Sequence, residues 1–295
     1  MNRIVKKSFL SALLLLSLMA CGTVPITGRK QFSIVSDSEV LSLSQTQYRS
    51  FVRSAHQQGV LVRDARVEEV SRRLIAAADA YLRQNKLHDL LSTMHWEVNT
   101  VNSNQVNAFC MPGGKIVVYT GLLRLIGGAS GTDAELAAVI GHEIAHALAR
   151  HSNERLSNAK LRNLGGQILG SIVSKESATL QLIINQAYGL GSEVFVALPF
   201  GRKQEYEADK MGMVLMALAG YDPKAAVTLW RKMERSSAGK TNEFLSTHPS
   251  EANRIKQIES YLPEAMKYYR PTKGFSLEPV RRSSKFQPST QPPRR

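Results

Sequence analysis

The feature that most constrains this chain is a pair of histidines with a glutamate between them, in the run Gly141-His142-Glu143-Ile144-Ala145-His146. Two histidines four residues apart on a helix share one face, so their imidazoles can converge on one metal ion. A glutamate directly after the first histidine can reach a water bound to that metal, as the general base of a hydrolysis must. The motif therefore predicts a zinc-binding helix that carries hydrolytic chemistry.

The surrounding sequence predicts that this helix is buried and rigid. Thr132 and Glu135 have the spacing of a capping box, with Thr132 as the N-cap residue. Apolar residues then recur at helical spacing: Leu136, Val139, Ile140, Ile144, Ala147 and Leu148. Burial of this kind holds the two histidines in place.

The first twenty residues predict a targeting segment rather than part of the fold. Arg3, Lys6 and Lys7 form a basic start, and the apolar run of 12 residues after Ser8 is shorter than a bilayer span of about 20 residues. The run ends in Leu18-Met19-Ala20-Cys21, which resembles a bacterial lipobox. That resemblance implies cleavage before Cys21 and its lipidation, in a Gram-negative envelope at the outer membrane. An ordinary signal peptide with a chance cysteine is the alternative.

Composition and charge limit the remaining possibilities. The net charge of +14 falls to +11 without residues 1–20, and about half of that excess lies in the Pro- and Ser-rich tail from residue 271 on. Such a tail is typical of a disordered segment, either solvated or in contact with anionic lipid. Cys110 is the second of two cysteines, so we expect a buried thiol and no disulfide framework. No nucleic-acid-binding module is recognisable.

The chain divides into a signal peptide over 1–20, an extended tether over 21–38, a main domain over 39–265 and a basic disordered tail over 266–295. Helical periodicity dominates the main domain, which makes its fold class α+β and mostly helical. Residues 96–120 instead alternate in hydrophobicity and predict a small antiparallel sheet before the motif helix, with Pro112-Gly113-Gly114 as a turn.

A catalytic zinc usually takes three protein ligands and leaves a fourth position for water. Ala149 and Ser152 exclude the extended motif in which a third histidine follows directly. His151 lies nine residues after His142, about half a turn round a continuous helix, so it is expected to point away as a surface or second-layer residue.

A downstream acidic turn is the candidate source of the third ligand. Glu205 and Asp209 are four apart and share a helix face, whereas Glu207 lies about 200° from Glu205. We predict Glu205 as the ligand and Asp209 as the acceptor of a ligand histidine's outer N–H. A solvated acidic turn is the alternative.

Several separate motifs, in order, resemble the gluzincin peptidases of the HtpX, BepA and CAAX prenyl protease (Ste24-like) type, a family related to the mitochondrial OMA peptidase. They are Asn107-Ala108-Phe109, Pro112-Gly113-Gly114, Thr120-Gly121-Leu122, the 141–146 motif, residues 202–209, Thr247-His248-Pro249 and Arg254. The resemblance covers about residues 40–262 and implies a zincin-like metallopeptidase domain. It implies one zinc ion per chain, held by His142, His146 and Glu205. Without a 20-residue apolar span, the chain resembles the periplasmic lipoprotein branch.

The resemblance also implies roles around the metal. Glu143 is the general base, and His248 and Arg254 match positions over the site. We assign His248 to the oxyanion; alternatively it caps the next helix turn, or occupies the open zinc position and keeps the enzyme shut. Asn107, Ala108 and Phe109 match the segment that lines the cleft, where substrate would add as an extended strand.

The expected function is a zinc endopeptidase that hydrolyses misfolded or unassembled cell-envelope proteins, anchored to the membrane by lipid at Cys21. The main alternative is a zinc-containing chaperone or assembly factor for outer-membrane proteins. Glu143 argues against it, because a structural zinc site needs no general base. A third hypothesis is an adaptor whose Gly-rich residues 154–198 bind partners.

Overall fold

The computed structural model of the chain describes residues 21–128, 132–169, 200–236, 243–248 and 253–271. The expected signal peptide, most of the basic tail and residues 170–199 of the Gly-rich region lie outside these ranges. The strands are β1 (Cys21–Thr23), β2 (Lys30–Phe32), β3 (Leu61–Val62), β4 (Glu97–Val101), β5 (Ala108–Met111) and β6 (Lys115–Tyr119). The helices are α1 (Asp37–Gln57), α2 (Ala65–Gln84), α3 (His88–Ser92), α4 (Thr120–Leu125), α5 (Asp133–Leu148), α6 (His151–Leu169), α7 (Arg202–Leu218), α8 (Lys224–Ser236), α9 (Glu243–Thr247) and α10 (Arg254–Ala265).

The α+β, mostly helical fold class is confirmed, but the sheet before the motif helix is mixed rather than antiparallel. Its strand order is β3-β4-β6-β5, and β4 runs parallel to β6. The chain leaves β4 and forms β5 first; the turn at Gly113 and Gly114, both at positive φ, then returns β6 between β4 and β5. This insertion makes the β4–β6 pair parallel and leaves β5 at the edge of the sheet.

The motif helix α5 begins as the sequence predicts, with half of the capping box. The Thr132 hydroxyl accepts the Glu135 backbone N–H at 3.2 Å. The Glu135 side chain does not return to Thr132, because its buried carboxylate pairs with Lys232 of α8 at 2.7 Å. This ion pair fixes the start of α5 against α8.

Two glycines let α5 approach α7 closely. A Cβ on Gly212 would lie 2.8 Å from the backbone nitrogen of His142, and one on Gly141 would lie 3.1 Å from the carbonyl oxygen of Gly212. Real Cβ atoms essentially never come within 3.0 Å of a neighbour, so a side chain at 212 would force the helices apart. The crossing therefore sets the distance between the two histidines of α5 and the acidic residues of α7.

The sequence predicts an extended tether over residues 21–38, but the structure has folded elements there. Residues 21–32 form an antiparallel hairpin, β1 paired with β2, and α1 already begins at Asp37. Val24 and Val35 are buried, and the Arg29 side chain forms ion pairs with Glu154 and Glu207 of two helices. These non-local contacts, which local composition does not reveal, join the segment to the body of the protein. We refer to residues 21–35 as the N-terminal hairpin.

Within the described residues, the structure has no helix that is both long and apolar enough to cross a membrane.

Candidate metal centre

Two imidazoles of α5 converge as the motif predicts. The Nε2 atoms of His142 and His146 lie 3.0 Å apart, and both side chains are buried. One helical turn separates the residues, so their rings extend from the same face of α5. Both Nε2 atoms therefore point at one small volume.

The acidic residues of α7 complete this cluster. The Glu205 carboxylate lies 3.4 Å from Nε2 of His142 and 3.4 Å from Nε2 of His146, through its two oxygens. Asp209 lies on the outer side, with its Oδ1 2.9 Å from Nδ1 of His142. The α7 pair thus has the geometry predicted for a ligand and an outer-nitrogen acceptor.

The donor set fits a zinc ion. Zinc–nitrogen and zinc–oxygen bonds of about 2.1 Å in a tetrahedron place ligand atoms about 3.4 Å apart, close to the 3.0 and 3.4 Å found here. Burial lowers the pKa of His142, but Asp209 and Glu205 outweigh that effect and raise it to about 9. The two carboxylates therefore stabilise positive charge on the His142 ring, whereas burial holds the pKa of His146 well below its ordinary value.

Arg254 lies beneath the carboxylates and not over the cleft. Its guanidinium is buried and reaches Glu205 at 2.8 Å and Asp209 at 2.9 Å. It also lies 3.5 Å from the centre of the Trp230 ring. Arg254 was predicted as a catalytic residue; this placement instead suits a residue that positions the ligands, and the guanidinium offsets part of their negative charge.

Glu143 lies beside the cluster and outside its ligand set. Burial is the largest influence on the Glu143 carboxyl and raises its pKa above the ordinary value, against a lowering by His248 and His142. The backbone of Cys110 in the edge strand also hydrogen-bonds this carboxyl. A carboxyl with a raised pKa next to a metal position holds a proton more readily than an ordinary glutamate, as a general base that later returns the proton must.

His248 occupies the fourth side of the cluster. Its Nδ1 lies 3.2 Å from Nε2 of His142 and 3.1 Å from Oε1 of Glu205. Its Nε2 lies 3.3 Å from Oε1 of Glu143. His142, His146, Glu205 and His248 form the group within the described residues that could hold a metal ion.

Aromatic rings hold the His248 imidazole in this position. Phe244 stacks on it with ring centres 4.6 Å apart, and Phe200 stacks on it at 5.4 Å. Phe200 also lies 4.0 Å from the ring of His146. The sequence predicts neither Phe200 nor Phe244 as a site residue, because nothing in the local pattern around them marks such a role.

His151 and Glu207 form a second layer that the sequence analysis only partly predicted. Helix α5 ends at Leu148, and Arg150 at φ 54° turns the chain so that His151 faces inward, fully buried. His151 Nδ1 lies 2.8 Å from His146 Nδ1, and its Nε2 lies 3.0 Å from Glu207 Oε2. The expectation that His151 points away assumed one continuous helix; a second-layer position is what the structure has.

A small cleft opens beside Glu143 at the sheet edge. It is lined by Asn107, Ala108, Phe109, Glu143, Phe200, Thr247 and His248. The three residues predicted to bind substrate therefore lie together, next to the predicted general base. They belong to β5 or directly precede it.

The fold and the donor set define a class, the metallopeptidases in which two histidines of one helix and a glutamate of another hold the metal. Within that class the chain belongs to peptidase family M48, whose model matches residues 62–262.

Known relatives agree with this family. The chain is 36% identical over 248 residues, 82% of its length, to the mitochondrial metalloendopeptidase OMA1 of Schizosaccharomyces pombe. It is 41% identical over 182 residues, 61% of its length, to that of Arabidopsis thaliana. It is 30% identical over 166 residues, 54% of its length, to the beta-barrel assembly-enhancing protease of Yersinia pestis. These matches span 66%, 35% and 33% of the three relatives, so the chain corresponds to part of each.

Proposed function

We propose that this chain is a zinc-dependent endopeptidase that hydrolyses misfolded or unassembled cell-envelope proteins. The observation that carries the proposal is the buried group of His142, His146 and Glu205 with Glu143 beside it. A zinc ion bound by these three residues supplies a Lewis acid and lowers the pKa of a bound water to about 7.

Glu143 acts as the general base. It accepts a proton from the water whose oxygen forms the new bond to the peptide carbonyl carbon. It then gives that proton to the leaving nitrogen as the carbon–nitrogen bond breaks. Its raised pKa suits both transfers, because a carboxyl that held its proton too weakly would not deliver it to the amine.

The edge strand β5 is the proposed substrate platform. The Asn107 carbonyl accepts the backbone N–H of Tyr119, so Asn107 faces β6. Backbone direction alternates along a strand, so the N–H and C=O groups of Ala108 and Cys110 point to the outer edge of the sheet. The Cys110 backbone meets Glu143 there, and Ala108 lies one step along the same edge. A peptide paired with Ala108 as an added strand therefore runs past the general base. Backbone pairing of this kind tolerates many sequences, as quality control requires.

His248 is the proposed latch of the open metal position. Its Nδ1 lies within 3.3 Å of both Glu205 oxygens and of His142 Nε2. Such spacings are those between ligand atoms of one metal ion, so His248 is placed to be a fourth ligand. In this role it must leave before substrate enters; an oxyanion donor must instead stay over the cleft. If His248→Ala raises basal cleavage of casein, the latch is supported, and a simple loss of activity supports the oxyanion role.

We also propose that the protein is a lipoprotein on the periplasmic face of the outer membrane, anchored through Cys21. The support is the basic start, short apolar run and lipobox-like sequence of residues 1–21. Mass spectrometry of the mature N-terminus tests the anchor, which requires a diacylated or triacylated cysteine at position 21. A free N-terminus at another residue contradicts it.

The experiment for the substrate class compares an unfolded outer-membrane porin with the same porin folded in detergent. A quality-control endopeptidase cleaves the unfolded chain, loses that activity in chelator and recovers it with zinc. If the unfolded porin is bound and stays intact under all these conditions, a zinc-containing chaperone or assembly factor describes the protein better.

A further inference from the structure

The two side chains of the second layer form a directed chain of hydrogen bonds behind His146. A histidine that binds a metal through Nε2 carries its proton on Nδ1, and this nitrogen of His146 faces Nδ1 of His151 at 2.8 Å. His151 Nδ1 must then accept, which leaves the His151 proton on Nε2, 3.0 Å from Glu207 Oε2. Only one tautomer of each ring satisfies this chain, so the position of Glu207 determines which nitrogen of His146 is available to a metal.

The N-terminal hairpin determines the position of Glu207. Thr27 donates its hydroxyl to Glu207 Oε1, and Arg29 Nε donates to Oε2 at 2.7 Å. Both oxygens of this nearly buried carboxylate are therefore bound by side chains of one hairpin, 178 and 180 residues away in sequence.

The same arginine joins the hairpin to α6 and α7, two helices beside the metal centre. Its two terminal nitrogens bind Glu154 of α6 at 2.7 and 2.9 Å. Gln204 of α7, the neighbour of Glu205, donates to Glu154 Oε2 at 2.7 Å. Arg29 thus bridges the helix that carries His151 and the helix that carries Glu205 and Glu207.

We propose that the N-terminal hairpin is a positioning element of the metal centre, in which Arg29 and Thr27 act through Glu207 and His151 to hold His146 as a ligand. This inference rests on the metal site of the proposed function and not on its peptidase activity. Partners behind metal-binding histidines fix ring orientation and ligand basicity, and their loss typically weakens metal binding about 10- to 100-fold. Here that outer shell extends into a segment that would otherwise look like a linker.

The test measures zinc affinity of the purified full chain by competition with a chromophoric chelator, so that it does not depend on cleavage. Arg29→Ala and Glu207→Gln are each expected to weaken zinc binding about 10-fold or more. The double variant is expected to bind little more weakly than the weaker single variant, because both changes interrupt one chain. Lys30→Ala is the matched control: Lys30 is exposed in the same hairpin and binds Thr23, away from Glu207.

Thr27→Val keeps every charge and nearly the same shape, and it is expected to weaken zinc binding several-fold even if Arg29→Ala does not fold. Thermal unfolding of the metal-free variants identifies any that fail to fold. Folded Thr27→Val and Glu207→Gln proteins with wild-type zinc affinity would overturn the proposal, as would fully additive losses in the double variant. If the zinc losses occur and the wild type cleaves no protein, the positioning role stands while the peptidase proposal fails.

Discussion

At the scale of single residues, the metal centre holds several charged side chains that are buried away from water, which would otherwise screen their charges. Glu205 and Asp209 are buried acids, and the one guanidinium beneath them touches both. Burial alone would raise the pKa of Asp209, yet Arg254 and His142 hold it below its ordinary value. Each member of this group is therefore tolerable only while the others are present.

Replacing Arg254 by Met is expected to lower the free energy of unfolding of the metal-free protein by about 3–5 kcal/mol, because it removes the buried guanidinium that contacts both carboxylates. Urea denaturation measures the change. Arg231→Met is the control, since the exposed Arg231–Glu259 pair should contribute less than about 1 kcal/mol. Equal, small losses for both variants would contradict the pairing described for Arg254.

A pH dependence follows from the His142–Asp209 pair in the metal-free protein. The folded-state pKa of His142 is raised to about 9 from an ordinary 6.5, because Asp209 and Glu205 overcome the lowering effect of burial. A raised pKa contributes stability that is complete below pH 6.5 and is lost as the pH rises through 9. The difference in unfolding free energy between wild type and Asp209→Asn should therefore shrink between pH 6 and pH 10. A difference that stays constant over this range would contradict the pair.

At the scale of elements, three segments meet at the metal centre and each fixes a different part of it. Helix α5 supplies two rings of one face, α7 supplies the acids, and the N-terminal hairpin supports the acid that does not face the metal. The spacing between α5 and α7 is set where Gly141 and Gly212 cross. Small residues at this crossing bring the ligand atoms of the two helices within bonding reach of one ion.

Gly212→Ala is expected to destabilise the protein by about 1–3 kcal/mol, because the added methyl overlaps the backbone of α5. It should also weaken zinc binding, since separating the helices moves Glu205 away from both imidazoles. Gly22→Ala is the control, where an added Cβ meets neighbours only at 3.7 Å. Calorimetry measures the stability and zinc titration measures the affinity. Unchanged zinc affinity in a destabilised Gly212→Ala protein would contradict the claim that the crossing of α5 and α7 sets the ligand distances.

At the scale of the whole molecule, the sequence predicts what depends on local spacing. It predicts the capped helix with both histidines and assigns Glu205 to the same site, and the structure brings these residues together. It does not predict the parallel β4–β6 pair or the packing of the N-terminal hairpin, because those partners are distant in sequence. The prediction that His151 points away is wrong for a local reason: the left-handed turn at Arg150 interrupts the helix, and periodicity cannot reveal such a turn.

The whole account requires that this molecule bind metal and hydrolyse peptide bonds with the same cluster. The most direct measurement is casein cleavage by the purified protein and by Glu143→Gln, with zinc content determined on both. We expect about one zinc per chain in each protein, because Glu143 lies outside the ligand set, and cleavage only by the wild type. If Glu143→Gln cleaves casein as fast as the wild type, or if neither protein retains zinc, the account of this site is wrong.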